Sequence, residues 1–404
     1  MDGAPAGSRV LTVPATPRGV PELLATVREL VPNIVEGAAD RDRERQLPRE
    51  EIDALSATGA LAITVPATHG GAGGGASAAF ELTRLLATAD PNVAQVPQSH
   101  FVYLRLVELA GSTALKDEIF AAVLTGERVA NAQSERGGRT ITDISTRIIV
   151  DGSDAVVTGE KFYSTGSLLA DWLAVLGRDD DGVDHVGFVR DNTRGVSIVD
   201  DWTGMGQRTT ASGTITFDDV RLPATHVVPR SEAVTGPYGY GALAQGLHAA
   251  IDVGIARGAL AEASAFVRSS SHPWFEAQVD RAEDDPLLVQ RFGELEVEVR
   301  AAESALHVAG AAVDHVDRVR TDDAAAEASL QVAAAKVLAD RAALAVTNGL
   351  FELGGTRASD DRLNLHRHWR NARTHTLHDP IRWKLQHLGR WTVRGERPPR
   401  GPQL

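Results

Sequence analysis

The residues best suited to chemistry crowd into one stretch near the C-terminus, Leu365 to Gly389, LHRHWRNARTHTLHDPIRWKLQHLG. It holds His366, His368, His375, His378 and His387, five of the thirteen histidines in the chain. Imidazole ordinarily titrates near neutrality, so such a residue can take up or give a proton under working conditions. His375 and His378 are three apart and share a face if the segment is helical. Asp379 precedes Pro380; a residue before proline is pushed from the α region, and proline suits the first helical position. The pattern predicts a helix ending at about His378, with Asp379 capping the next and Pro380 opening it. The H-E-x-x-H spacing and its glutamate are absent, so no metal is expected.

Four further segments carry groups that suit a flat heterocycle and its phosphate. In GEKFYSTGSLLADW, Gly159–Trp172, Phe162 and Tyr163 lead into Ser164–Thr165–Gly166. A ring stacks on aromatic side chains, and a hydroxyl or backbone N–H bonds an edge nitrogen. The plain alternative is a strand running into a surface turn. ANAQSE, Ala130–Glu135, offers Asn131 and Ser134 at a strand end, or simply ordinary strand polar residues. In ELGGTRAS, Glu352–Ser359, Gly354 and Gly355 permit close backbone approach and Arg357 can pair with a phosphate; a helix C-cap reads equally well. In VQRFGELEVEVRAA, Arg291 is a cation among acidic neighbours, a phosphate ligand or a surface ion pair. The glycines of VPATHGGAGGGAS, Val65–Ser77, lack the lysine of a phosphate loop and read as an interhelix connection.

Composition narrows the chemistry. The chain has 404 residues and a formal charge of −13, from 41 basic and 54 acidic residues. That balance argues against a nucleic-acid footprint. There is no cysteine, which removes thiolate catalysis, disulfides and cysteine-ligated clusters, so redox chemistry requires a bound cofactor. No apolar run approaches the ~20 residues of a membrane span. The first residues lack the pattern of a secretory signal, and a cytoplasmic protein is expected.

These groups must be positioned by three kinds of chain. Residues 1–20 read as a flexible tail and residues 21–125 as a helical domain with apolar residues at three and four spacing. Residues 126–237 carry short Val-, Ile-, Thr- and Phe-rich runs separated by Gly, Asp and Asn, predicting a small antiparallel barrel or sandwich. Residues 238–390 form four long Ala- and Leu-rich segments, Gly239–Ser269, Asp285–Asp317, Asp322–Leu353 and the histidine-rich run, which predict a four-helix bundle. Residues 391–404 read as a second tail.

Taken with DPNVAQVPQSHF (Asp90–Phe101), GMGQRTTASG (Gly204–Gly213) and TFDDVRLP (Thr216–Pro223), these segments resemble the acyl-CoA dehydrogenase superfamily over about Pro21 to Gly389. Within it they are most similar to the flavin-dependent monooxygenase branch, which includes dibenzothiophene monooxygenase and the sulfur-acquisition oxidoreductases linked to dimethyl sulfone use. The resemblance implies an α+β chain, with an N-terminal helical domain, a middle antiparallel β domain and a C-terminal four-helix bundle, assembled as a homotetramer. Ser164 matches the position whose hydroxyl faces flavin N5, flanked by Phe162 and Thr165. Asn131 and Ser134 match ring-pocket positions. Arg291, Gly354, Gly355 and Arg357 match the phosphate site, one arginine reaching across a subunit contact. His378 lies near the flavin, and His100 and His375 shape or polarise the substrate pocket.

The activity so implied is that of the oxygenase component of a two-component monooxygenase. A separate NAD(P)H:flavin reductase supplies reduced FMN, O2 adds at flavin C4a to give a hydroperoxide, and a small or aromatic sulfide, sulfoxide or sulfone is oxygenated. His378 assists proton transfer in this scheme. FMN is expected rather than FAD. An acyl-CoA dehydrogenase with FAD, and Asp379 in the place of the usual glutamate base, is the alternative; so are an N-oxidising relative of the same fold and a helical assembly protein without flavin.

Overall fold

The protein is described by a computed structural model covering residues 18–140 and 142–402. Most of the tail expected over residues 1–20 lies outside the described residues.

The first layer is helical: α1 (Val20–Glu44), α2 (Arg49–Ala57), α3 (Ala76–Ala89), α4 (Pro91–Gln95), α5 (Gln98–Ala110) and α6 (Thr113–Leu124). α1 outlasts its apolar periodicity, which fades after Val35. Its last turns bury charge instead: Arg41 pairs with Asp90 at 3.0 Å and Glu51 at 2.6 Å. Asp90 also caps α4, accepting from Asn92 N–H at 2.9 Å, so one carboxylate closes one helix and anchors another. The glycine-rich segment after Val65 is the connection between α2 and α3.

The middle layer is one eight-stranded sheet: β1 (Val129–Ala132), β2 (Arg147–Asp151), β3 (Asp154–Lys161), β4 (Trp172–Arg178), β5 (Asp184–Arg190), β6 (Val196–Val199), β7 (Thr214–Pro223) and β8 (Val227–Pro229). Its order is β6-β7-β3-β2-β4-β5-β8, with β1 also paired to β4. Pairing is antiparallel except along β4, which meets β1 and β2 in parallel. Alternation of apolar and polar residues marks a strand but carries no direction, so this feature is not readable from the sequence. The sheet encloses its own apolar cluster, including Ile148, Val157, Leu173, Val175, Ile215 and Phe217.

The third layer is the bundle: the short α7 (Ser231–Thr235), then α8 (Tyr240–Ser270), α9 (Pro286–Val319), α10 (Asp322–Gly354), α11 (His366–His375) and α12 (Ile381–Arg394). Asp285 and Thr321 cap α9 and α10. α8 is buried on nearly every side, because Ala and Gly let its neighbours come close. A Cβ on Gly246 would lie 2.0 Å from the Phe80 ring of α3, and one on Gly254 2.4 Å from Ala87. Among the described residues no helix is long and apolar enough to cross a membrane.

Two sequence expectations change at the C-terminal end. α11 stops at His375, and Asp379 makes no cap bond to α12; its carboxylate sits 3.0 Å from Lys384 Nζ instead. A buried carboxylate is better served by a buried ammonium than by a backbone N–H. α12 then continues to Arg394, inside the expected tail, and Gly395 ends it in a left-handed conformation. Beyond it Arg397 and Arg400 reach Asp323 and Asp322 in the first turn of α10.

Candidate active site

The end of β3 and the loop before β7 form one hydroxyl-rich ledge. Ser164 N–H donates to Gly213 O at 3.3 Å and Gly166 N–H to Thr210 O at 2.8 Å. The Thr165 and Ser212 hydroxyls are 2.7 Å apart, and Ser212 meets Thr210 at the same distance. Beside these bonds the buried Ser164 hydroxyl has no partner, nor have the Thr209 hydroxyl and the Gln207 side-chain amide of the facing loop. Burying a hydroxyl without a hydrogen bond is costly, so an orphan of this kind marks a place where a ligand completes the structure. Beside it, Tyr163 takes a left-handed conformation, φ +56°, with its ring exposed. Phe162 and Tyr163 rings lie 4.5 Å apart and Trp202 closes the group, 5.9 Å from Tyr163. Phe162 N–H donates to Ser134 O at 2.8 Å, which ties the Ser134 strand end to the same ledge. Asn131 lies on β1, half-buried.

The same loop joins the ledge to the histidines. Gln207 N–H donates to Asn371 Oδ1 of α11 at 2.7 Å, and Gly206 lies so close to α11 that a Cβ would fall 2.0 Å from Arg370 O. Thr209 N–H reaches Asn92 Oδ1 at 3.3 Å, so helical layer, sheet and bundle meet here.

His375 is buried at the end of α11. Its Nδ1 lies 2.6 Å from Asp252 Oδ1 and its Nε2 3.1 Å from His248 Nδ1, both partners on α8. Asp252 is 2.9 Å from Lys336 Nζ on α10, and Lys336 also binds Asp340. Burial works against the charge on Asp252, but His375 and Lys336 hold its carboxyl below the ordinary range. Burial, with the charge of Asp252, pushes the pKa of Asp340 up. Burial lowers the pKa of both His248 and His375, which are therefore neutral. The ionised Asp252 accepts from His375 Nδ1–H, leaving Nε2 to accept from His248 Nδ1–H, so one carboxylate sets two tautomers in series. The His248 ring is stacked on His378 at 3.8 Å. His378 itself is exposed over 42% of its side chain.

The structure therefore gathers Phe162, Ser164, Thr165 and Ser134 on one ledge and His375 with His378 on the adjoining helix end. His100 sits on the helical-layer side of Ala130 and Gly166. Its Nδ1 accepts from Val129 N–H at 3.1 Å and its Nε2 lies 3.0 Å from Leu61 O, so both nitrogens are spent on backbone. Burial drives its pKa down to about 4. With both nitrogens on backbone, His100 ties the helical layer to β1, and its ring also lines a small cavity beside Ala130 and Gly166. Asp379 is unsuited to act as a base. Its carboxylate is 4% exposed, paired with Lys384 and 3.4 Å from His378 Nδ1.

Arg291, Gly354, Gly355 and Arg357 form a separate corner. Arg291 pairs with Glu294 and Glu352 at 3.0 and 3.1 Å. Arg357 donates to Ser270 O at 2.7 Å and lies 2.6 Å from His272 Nε2. Gly354 ends α10, and at Gly355, φ +62°, a Cβ would meet nothing within 4 Å. Ser270 ends α8, whereas His248 lies near its start. At ~1.5 Å rise per residue the corner stands about 33 Å along α8 from His248, farther than a ribityl phosphate spans.

Comparison with known proteins agrees with this three-layer architecture. The acyl-CoA dehydrogenase N-terminal, middle and C-terminal domain models match residues 21–127, 130–220 and 246–383. The chain belongs to the acyl-CoA dehydrogenase family. Within that family it is 30% identical over 379 residues to dibenzothiophene monooxygenase of Rhodococcus qingshengii, covering 89% of this chain and 90% of the relative. It is 29% identical to a probable FMNH2-dependent monooxygenase, SfnC, of Pseudomonas putida, over 93% of this chain and 95% of that one. The crystal structure of FMN-bound TdsC from Paenibacillus sp. A11-2 superposes with a TM-score of 0.90 at 27% identity, covering 95% of this chain and all of that one. This family member thus shares its full architecture with flavin-dependent monooxygenases.

Proposed function

We propose that the chain is the oxygenase component of a two-component, FMN-dependent monooxygenase acting in the cytoplasm. It takes reduced FMN from a separate NAD(P)H:flavin reductase and oxygenates a small or aromatic organosulfur compound. The observation that carries this reading is the orphaned, buried Ser164 hydroxyl, set beside an aromatic wall and joined through one loop to the histidine helix. The ledge fits a flavin ring: Ser164 and Thr165 offer hydroxyls to its edge, Phe162 lies alongside, and Asn131 and Ser134 border it. Reduced FMN, when bound, supplies the electrons that activate O2. The protein's part is to hold the ring, exclude water and move a proton at a ring nitrogen of His378, which the stacked His248 holds in place. His375 shapes the pocket from beneath by fixing His248.

The phosphate corner supports a homotetramer in which Arg291, Gly354, Gly355 and Arg357 of one chain complete the flavin site of another. The ~33 Å along α8 between the corner and His248, from helix rise, is one support. The other is an apolar exterior on the bundle: Leu287 and Val297 on α9 and Trp383, Leu385, Trp391 and Val393 on α12 are all exposed.

The test is anaerobic mixing of the protein with FMNH2, followed by oxygenated buffer in a stopped-flow instrument. Return of the oxidised-flavin absorbance is expected to be slower than for free FMNH2, and faster in His378→Ala than in the wild type. Reoxidation at the rate of free FMNH2 would overturn the reading.

A further inference from the structure

Away from the histidines, a cavity of about 450 Å³ lies between the sheet, α7 and residues 399–402. The guanidinium of Arg230 lines it and is only 7% exposed. Its Nη2 donates to Gln133 Oε1 at 3.2 Å, and its Nε has no hydrogen-bond partner. Among the described residues no carboxylate lies within ion-pairing distance of it. The neighbouring acids are already committed: Glu135 lies 2.6 Å from Lys161 Nζ, and Asp184 lies 2.7 Å from Arg178 Nε. The interior here therefore carries one cation more than its carboxylates balance. A buried charge without a counter-charge is strongly unfavourable, and besides its bonds to Gln133 and the Tyr240 phenol this guanidinium keeps an unpartnered Nε–H for an anion oxygen.

The rest of the lining indicates what kind of anion. Ile144, Leu176 and Val234 give an apolar wall, which inorganic phosphate or sulfate would leave unused. The volume is that of a small-molecule pocket. Residues 399–402 close one side, held by Arg400, which donates to Thr235 O at 2.9 Å and pairs with Asp322 at 2.5 Å. We propose that this cavity is a binding site for a small organic oxoanion, an alkanesulfonate, alkanesulfinate or alkanecarboxylate. Arg230 binds the oxygens and the apolar wall takes the alkyl part. Binding here is read on the flavin-free chain and does not require the flavin site to be filled.

Calorimetric titration of the flavin-free protein with ethanesulfonate and with propionate tests this. The expected result is saturable binding of both, with dimethyl sulfone and inorganic sulfate each weaker by roughly tenfold or more. Arg230→Gln should weaken the organic anions to a similar extent, and Arg230→Lys should retain part of the affinity. Val234→Trp, at a half-buried wall position, should abolish binding while leaving the guanidinium in place, and it decides the matter if Arg230→Gln does not fold. Absence of saturable binding in the wild type, or binding unchanged in Val234→Trp, would overturn the proposal. Sulfate binding as tight as ethanesulfonate would overturn its organic part.

Discussion

Ser164 and His100 are both buried polar side chains that a sequence reading assigns to the site, and their partners separate them. The hydroxyl of Ser164 is unsatisfied in the chain alone. Ser164→Ala therefore removes a desolvated group, and the flavin-free protein is expected to be as stable as the wild type or ~1 kcal/mol more so. The same variant should bind FMN about tenfold more weakly, a loss of one hydrogen bond, read by fluorescence titration. His100 is satisfied at both nitrogens by backbone groups. Its pKa is held by burial at about 4, against an ordinary 6.5. Above 6.5 neither folded nor unfolded chain protonates it; between 6.5 and about 4 only the unfolded chain does. Stability should fall as pH drops through that window, with His100 contributing about 3 kcal/mol of the loss. In His100→Gln, whose amide can serve both backbone partners, the denaturation midpoint should vary less with pH over the same range.

At the scale of elements, the buried run of Lys336, Asp340, Asp252, His375 and His248 fastens α10, α8 and α11 to one another. Removing one partner of a buried ionic set costs ~3–5 kcal/mol, because the others are left unpaired. Lys336→Met should lower the urea midpoint accordingly and widen the tautomer choice at His375. Adding Asp252→Asn and Asp340→Asn to it should recover much of the stability without restoring His375, a difference visible in imidazole nitrogen chemical shifts. The sequence carries a sign of this set: GLHAAIDVG and AAAKVLAD each place two lone polar residues four apart in an otherwise apolar stretch. Helical spacing shows that His248 and Asp252 share a face, as do Lys336 and Asp340. It cannot show that the two faces meet, since that depends on how α8 and α10 pack. The histidine-rich run was legible because its residues lie close in sequence, and the order of helical, β and helical layers because periodicity changes with each. The parallel pairings of β4 and the backbone partners of His100, Leu61 and Val129, lie far along the chain, and local pattern does not name them.

For the whole molecule, the apolar faces of α9 and α12 and the remote arginine corner belong to one expectation, that copies of the chain associate through the bundle. Arg291→Glu with Arg357→Glu should leave the ring ledge and the fold intact but weaken FMN binding by well over tenfold, because the phosphate loses two cations and meets two anions. Thermal unfolding of the flavin-free variant, matched to the wild type, separates this from misfolding. The length of α8 then has a consequence for how such a protein responds to its own abundance. In the proposed assembly the ring seat and the phosphate seat come from different chains, which makes flavin capture a function of chain concentration by mass action. Diluted below the point at which the copies part, the protein should release its flavin, and excess reduced FMN should draw the copies back together.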